Sequence, residues 1–518
     1  MSLPSRSISR WLSKDNAWFY LAFILIVGIG SILRFNYITV DYVHPDEPIT
    51  TGVVQYLKEP GTWDTNWANI PLPERYQYDQ YNFSAFFYAT YLFDGLVELG
   101  SKIGLIHSDY EPRTAYRFFS GLLSIVFLFQ VAVLAYSFGG RIFSLLATAI
   151  VMGVPLLVQD AHYARPEPFV TVLFLAVISI CWPSGHHSYW KILGSSVIIG
   201  ILVATKVSML MIAWMPVVPV LFLHSTLGKD FRKVVILSGA VAFFGIVLGF
   251  VIGVPGAVLN PDAFIHGVFY LMDQYSGAHP PHSHLDGGFV ADIAIGYFWA
   301  TMGVGIILGG LLGIAFLVRD RNWEAVVLII APTLLFVGYF FQQSVFFERN
   351  LSHVVPLFGI LSAIGIYRAI ALIPFKKSYQ KSLVTACIGL GVLIQPLQLS
   401  ATLVFSDFSG SSRGKGRIVL DSIKSELYGE FEFVPTMFKH DTVSYCADHF
   451  NSGGGNLLLG IEAYGDEWSD QFIKSLQQSF EMQLVRSVTS NYENVPISTL
   501  HTYNSCYIQF YLVTGIKQ

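Results

Sequence analysis

The chain has 518 residues, of which 53% are hydrophobic, 15% aromatic and 13% charged, with a mean hydropathy of +0.53; soluble domains carry about 25% charged residues. A formal net charge of −4 leaves no basic surface for nucleic acid, and Lys and Arg fall in short clusters between apolar runs, as in a polytopic membrane protein. Four cysteines are too few for a disulfide framework.

The basic residues Arg6, Arg10 and Lys14 precede a first apolar run, Trp18 to Val40, which is long enough to span a bilayer. No small-residue cleavage site clearly follows, so the run is expected to stay as an anchor with the N-terminus in the cytoplasm. Directly after it stands Tyr42-Val43-His44-Pro45-Asp46-Glu47-Pro48. Adjacent carboxylates at the end of a span have two readings. In one, Asp46 caps a helix and Glu47 favours its dipole; in the other, the pair does acid–base chemistry at the membrane face.

The polar, aromatic segment from Asp41 to about Asn82 is expected to form an external loop. Phe83 to Leu105 is apolar but interrupted by Asp94, Glu98 and Lys102 at a spacing of four, which makes one polar helical face. That pattern suits a helix lying in the interface better than one crossing the membrane. Spans are then expected at 18–40, 116–138, 142–159, 168–182, 189–205, 207–224, 234–252, 291–318, 323–342, 350–372 and 382–404.

This parity puts Arg141, Lys229/Arg232/Lys233, Arg319/Arg321 and Lys376/Lys377/Lys381 inside. Asp160-Ala161-His162-Tyr163-Ala164-Arg165-Pro166-Glu167-Pro168, the turn near Lys206, the loop Gly253 to Phe289 and Glu348-Arg349-Asn350 then fall outside with Asp46. Were Phe83 to Leu105 a span, Asp46 and Glu167 would lie on opposite faces. After Phe405 the composition turns soluble, with the Gly453-Gly454-Gly455 turn and the strand-like run Gln509-Phe510-Tyr511-Leu512-Val513. The expected division is a membrane module, 1–404, and a small extracytoplasmic α/β domain, 405–518. Cys446 and Cys506 both fall in that tail and pair only if their geometry allows it.

As chemistry, the external residues offer Asp46 and Glu47 as a general base, with Glu167 and His162 helping to hold a divalent metal ion. Arg349, Lys206 and Arg165 offer a site for an anion near the membrane surface, such as the phosphate at the end of a lipid. A single Lys or Arg at a span end is ordinarily a snorkelling cation; several converging on one face are not explained that way. The loop stretch His279-Pro280-Pro281-His282-Ser283-His284 has no second ligand cluster nearby in sequence, and substrate contact or gating is favoured over a zinc site.

The ordered set of these stretches resembles the GT-C superfamily of polyprenyl-phosphate-sugar-dependent glycosyltransferases. The nearest likeness is to the family-39-like membrane enzymes related to protein O-mannosyltransferases and lipid A aminoarabinose transferase. The residues that carry it are His44-Pro45-Asp46-Glu47, Ala161 to Glu167, Ala204-Thr205-Lys206, Gly253-Val254-Pro255 with Asn260-Pro261-Asp262, and Glu348-Arg349-Asn350-Leu351 leading to Val355-Pro356-Leu357.

The resemblance implies an α-helical polytopic fold and inverting transfer of a sugar from a polyprenyl-phosphate donor to a hydroxyl acceptor in the cell envelope. It makes Asp46 the base with Glu47 in support, and puts Arg349, Lys206, Arg165 and His353 at the donor phosphate. Glu47, Glu167 and His162 would hold a metal, and His44, His162, Tyr163, His279 and His282 would contact substrate. Two features depart from the pattern: Glu167 stands where Asp is usual, and Arg349 is separated from Pro356 by a longer run. Two rivals are a secondary transporter, which calls for ionisable residues at the bilayer midplane and related halves, and a receptor or assembly scaffold working through the tail. Neither explains the ordered acidic motifs.

Overall fold

The computed structural model describes residues 17–39, 46–59, 84–105, 111–183, 188–274, 283–284, 288–374, 378–408, 419–420, 422–426, 431–436, 441–463, 467–488 and 507–517. Among the described residues, five helices are long and apolar enough to cross a membrane: α1 (Ala17–Phe35), α4 (Pro112–Gly139), Gly228–Gly253, Trp323–Phe341 and Ser382–Phe405. Two bent pairs qualify when joined: α5 (Arg141–Gly153) with α6 (Pro155–Ala161), and Ala291–Met302 with Val304–Arg319. Shorter apolar helices are α7 (Glu167–Cys181), α8 (Tyr189–Val203), Val207–Leu221 and Val355–Ala371. Each of the eleven expected spans overlaps one of these helices or pairs, and seven of the eleven are long and apolar enough to cross.

The bends have local causes. Val154 is extended (φ −72°, ψ 121°) because a residue before proline is pushed out of the helical region, and Pro155 then starts α6 at 65° to α5. Gly303 adopts φ 79°, ψ 154°, open mainly to glycine, and turns Ala291–Met302 by 108° from Val304–Arg319. The expected straight span at 291–318 is therefore a broken one.

Helix α3 (Ala85–Lys102) is outside the set that meets the crossing criteria, in keeping with the interfacial expectation. Of its polar face, Asp94 turns toward the protein, while Glu98 stays partly exposed and Lys102 is exposed. Asp94 is fully buried and ion-pairs with Lys58, which also reaches Glu98 at 2.6 Å, while Leu92, Leu96, Leu99 and Ile103 are exposed as an apolar stripe.

Small residues let the bundle close. A Cβ on Gly249 would run into the Val197 carbonyl, so α8 and Phe231–Gly253 cross with backbones nearly touching. Gly365 does the same for Val355–Ala371 against Val304–Arg319, where its Cβ would meet the Gly309 carbonyl. Such contacts replace the hydrophobic driving force that helices in lipid lack.

The tail contains a four-stranded sheet of β1 (Phe431–Thr436), β2 (Asn456–Ala463), β3 (Phe480–Val488) and β4 (Tyr507–Ile516), in the order β1-β2-β4-β3. Strands β1 and β2 are parallel, and the other pairs antiparallel. Leu457, Leu459 and Ile461 share one core with Cys446, Ile473 and Leu476 of the helices Asp441–Asn451 and Glu467–Ser479. Leu458 packs on the opposite face with Phe510 and Ile423, as the period of two requires. The strand-like run at 509–513 lies within β4, and the glycine turn joins a helix to β2 with Gly453 at φ 81°. Cys446 is buried in the first core, and Cys506 lies outside the described residues.

Candidate functional site

Helix α2 (Glu47–Tyr56) begins with the acidic pair, and the structure separates the roles of its two members. Asp46 occupies the N-cap position but makes no side-chain capping bond. Its carboxylate points instead toward Arg349, with Oδ2 3.3 Å from Nη1, and is 30% exposed. Glu47 is fully buried. Arg117 Nε and Nη2 donate to its two oxygens at 2.7 and 2.8 Å, and the Ala164 N–H donates to Oε1 at 3.1 Å. The third arm of Arg117 donates to the Ile38 carbonyl at 3.1 Å, and Thr50 Oγ1 donates to the Ala164 carbonyl at 2.8 Å. Glu47 thus staples α2 to α4 and to the 162–166 turn, leaving Asp46 at the mouth.

The second acidic motif spans the end of α6, a turn and the start of α7. Glu167 is held between two cations: Lys206 Nζ donates to Oε1 at 2.9 Å and Arg165 Nε to Oε2 at 3.1 Å. Arg165 lies over the Tyr163 ring, 5.8 Å from its centroid. Lys206 follows α8 with an extended backbone (φ −145°, ψ 117°) that aims it away from the helix axis. The start of α3 fixes this turn, the Ala85 N–H donating to the Ala204 carbonyl at 3.3 Å and Ser84 Oγ to the Gly253 carbonyl at 2.9 Å.

Arg349 sits in the 3-10 turn Glu348–Leu351, its guanidinium 4.6 Å from the centre of the Phe347 ring. The result is a layered site. Asp46, Arg349 and Lys206 are partly exposed at the mouth, while Glu167, Arg165, Asp160 and Glu348 are buried beneath. Burial raises the Glu348 carboxyl above the usual range, with the nearby Arg349 and Arg165 opposing. The structure brings together Asp46 with Arg349, and Glu167 with Arg165 and Lys206.

Other candidates are placed differently. His162 is buried with Nδ1 2.8 Å from the Val158 carbonyl and Nε2 3.0 Å from the Asn36 carbonyl. Burial pushes its pKa down to about 4, opposed by those backbone contacts. Tyr163 is buried under Arg165 rather than lining the mouth. His353 is buried between the rings of Phe174 and Phe336. His44, His279 and His282 lie outside the described residues; His284 contacts Asp292 at 2.9 Å.

The metal set of Glu47, Glu167 and His162 does not fit the structure. Both Glu47 oxygens are taken by Arg117, both Glu167 oxygens by Lys206 and Arg165, and both His162 nitrogens face backbone carbonyls. Among the described residues no group of three or more His, Cys, Asp or Glu is placed to hold a metal ion.

Arg117 was not among the sequence candidates. Its signal is a cation in the first turns of an otherwise charge-free span. Ser352, which donates to Asp160 Oδ2, carries no such signal.

No family model matches the sequence, and no curated protein is similar to it in sequence. Solved structures are similar in fold. ArnT from Cupriavidus metallidurans bound to undecaprenyl phosphate superposes with a TM-score of 0.52 at 12% identity, covering 96% of this chain and 98% of that one. The same protein in the apo state gives 0.50 at 13% identity with the same coverage. The Archaeoglobus fulgidus oligosaccharyltransferase tethered with an acceptor peptide gives 0.52 at 12% identity, over 91% of this chain and 73% of that one. The apolar helices and the C-terminal sheet occur here in one chain that ArnT matches nearly end to end, so this protein shares the fold of ArnT and of the oligosaccharyltransferase.

Proposed function

We propose that the protein transfers a sugar from a polyprenyl-phosphate carrier to an acceptor hydroxyl, with inversion at the anomeric carbon, on the extracytoplasmic face of the plasma membrane. The observation that carries this reading is the mouth itself: one partly exposed carboxylate, Asp46, beside the cations Arg349 and Lys206, with Arg165 behind them. A base and an anion site side by side at the outer ends of apolar helices suit a substrate with a lipid tail, a phosphate and a sugar. The fold shared with ArnT, whose structure holds undecaprenyl phosphate, supports the same substrate class.

In this reaction the acceptor oxygen forms a bond to the anomeric carbon as its proton passes to Asp46. The bond from that carbon to the phosphate oxygen breaks, and its electron pair leaves with the polyprenyl phosphate. Attack from the face opposite the phosphate inverts the centre. A positioned carboxylate base contributes about 10²–10⁴-fold to such a step. Arg349 and Lys206 stabilise the charge gathering on the leaving phosphate. Glu167 acts on them indirectly, fixing Lys206 and Arg165 in place. Arg349 pairs with Asp46 here, so an arriving phosphate competes for the same guanidinium and leaves Asp46 free to take the acceptor proton.

The test uses purified protein in nanodiscs supplied with polyprenyl-phosphate sugars extracted from membranes that lack it. Adding envelope material should release free polyprenyl phosphate; no release from any such mixture would sink the reading. Arg349→Ala should weaken binding of undecaprenyl phosphate about tenfold or more, and Arg349→Lys should restore only part because the bidentate fork is lost. Wild-type affinity in Arg349→Ala would remove this residue from the anion site.

Orientation is tested separately. Gly455 has open space around its Cβ position. In a cysteine-free background, Gly455→Cys should react with an impermeant thiol reagent in intact spheroplasts. Labelling only after lysis would place the tail, and with it the mouth, on the cytoplasmic side.

A further inference from the structure

Beneath the mouth, Asp160 joins two segments that sequence keeps far apart. It lies in the last turn of α6, which the bend at Pro155 brings to the 3-10 turn carrying Arg349. Asp160 is 2% exposed, and Ser352, itself buried, donates its hydroxyl to Oδ2. The Ser352 N–H bonds the Arg349 carbonyl at 3.2 Å and so closes the turn from which the Arg349 side chain projects. The other carboxylate oxygen, Oδ1, has no hydrogen-bond partner among the described residues and stands 3.9 Å from Arg165 Nη2.

A buried carboxylate with an oxygen short of hydrogen bonds is costly, and an apolar residue of similar size often serves stability as well or better. What Asp160 supplies is geometry. On one side it grips the Arg349 turn; on the other it faces the guanidinium that Glu167 also holds.

We propose that Asp160 is a positioning residue for the donor phosphate, setting Arg349 through Ser352 and Arg165 through charge, without touching substrate itself. This rests on the functional reading above. It makes the anion site a unit whose two arms, 160–167 and 348–352, are locked by one buried clamp. Loss of the clamp lets the Arg349 turn relax and weakens phosphate binding without unfolding the bundle.

The experiment is a double-mutant cycle on undecaprenyl phosphate affinity in nanodiscs, using wild type, Ser352→Ala, Arg349→Ala and the double variant, with Tm recorded for each. The effects of residues in one network do not add. Ser352→Ala should weaken binding about tenfold, with a modest fall in Tm from the Asp160 oxygen it leaves unpaired, and should add no further loss once Arg349 is already Ala. Asp160→Asn, where it folds, should weaken binding at least as much. Wild-type affinity in Ser352→Ala, or a full additional loss in the Arg349→Ala background, would overturn the clamp while leaving the functional reading intact. Failure of the wild type to bind undecaprenyl phosphate would overturn both.

Discussion

Asp46→Asn should lower turnover by about 10² or more while leaving affinity for undecaprenyl phosphate unchanged or slightly tighter. Asn keeps the size of Asp and caps a helix as well, but it accepts no proton in this step. Asp46 makes no side-chain capping bond, so no such bond is lost. Its neutral replacement no longer competes with phosphate for Arg349, which sits 3.3 Å away. The check is turnover against binding in the same purified, folded preparation. Near-normal turnover would remove Asp46 as the base.

The neighbouring residue should behave in the opposite way. Arg117→Ala strands the fully buried Glu47 carboxylate, and breaking a buried pair on one side costs about 3–5 kcal/mol. The expected result is a large fall in Tm and in folded yield, with activity lost because the fold is lost. Replacing both partners together, Glu47→Met with Arg117→Met, should recover much of the stability, since no charge is then left unpaired. Thermal unfolding of Arg117→Ala and of the double variant reads this directly. A Glu47→Gln protein that folds normally yet has lost turnover would move the base by one residue and contradict the separation of roles drawn here.

The apolar helices were legible because runs of this length have few soluble explanations, and the lone interruption at Asp94, Glu98 and Lys102 marked α3 as different. Spacing alone could define a polar face on α3 but not which of its residues is buried; Lys58, the partner of the buried Asp94, also bonds Glu98 across 40 positions. The same limit hid the two clamps. Glu47 meets Arg117 across 70 positions and Asp160 meets Ser352 across 192, so neither pair leaves a local pattern. An arginine near a span end reads as a snorkelling cation, yet Arg34 and Arg117 are buried among helices, Arg34 Nε donating to Ser124 Oγ at 2.6 Å. Gly303 looked like any other glycine of an apolar run, and only its positive φ reveals the break. The ordered motifs did place Asp46, Glu167, Lys206 and Arg349 together, because each ends or begins a span on one face. They did not distinguish a carboxylate facing the mouth from one locked in a staple.

The central claim is that a lipid-linked sugar is consumed at Asp46. It is tested most directly by mass spectrometry of envelope lipids, glycans and proteins from cells carrying the wild-type gene or Asp46→Asn at equal protein level. The account predicts that one polyprenyl-phosphate sugar accumulates in the variant while one envelope molecule loses the mass of that same sugar. Identical profiles in the two strains, with the wild-type protein folded and expressed, would contradict it.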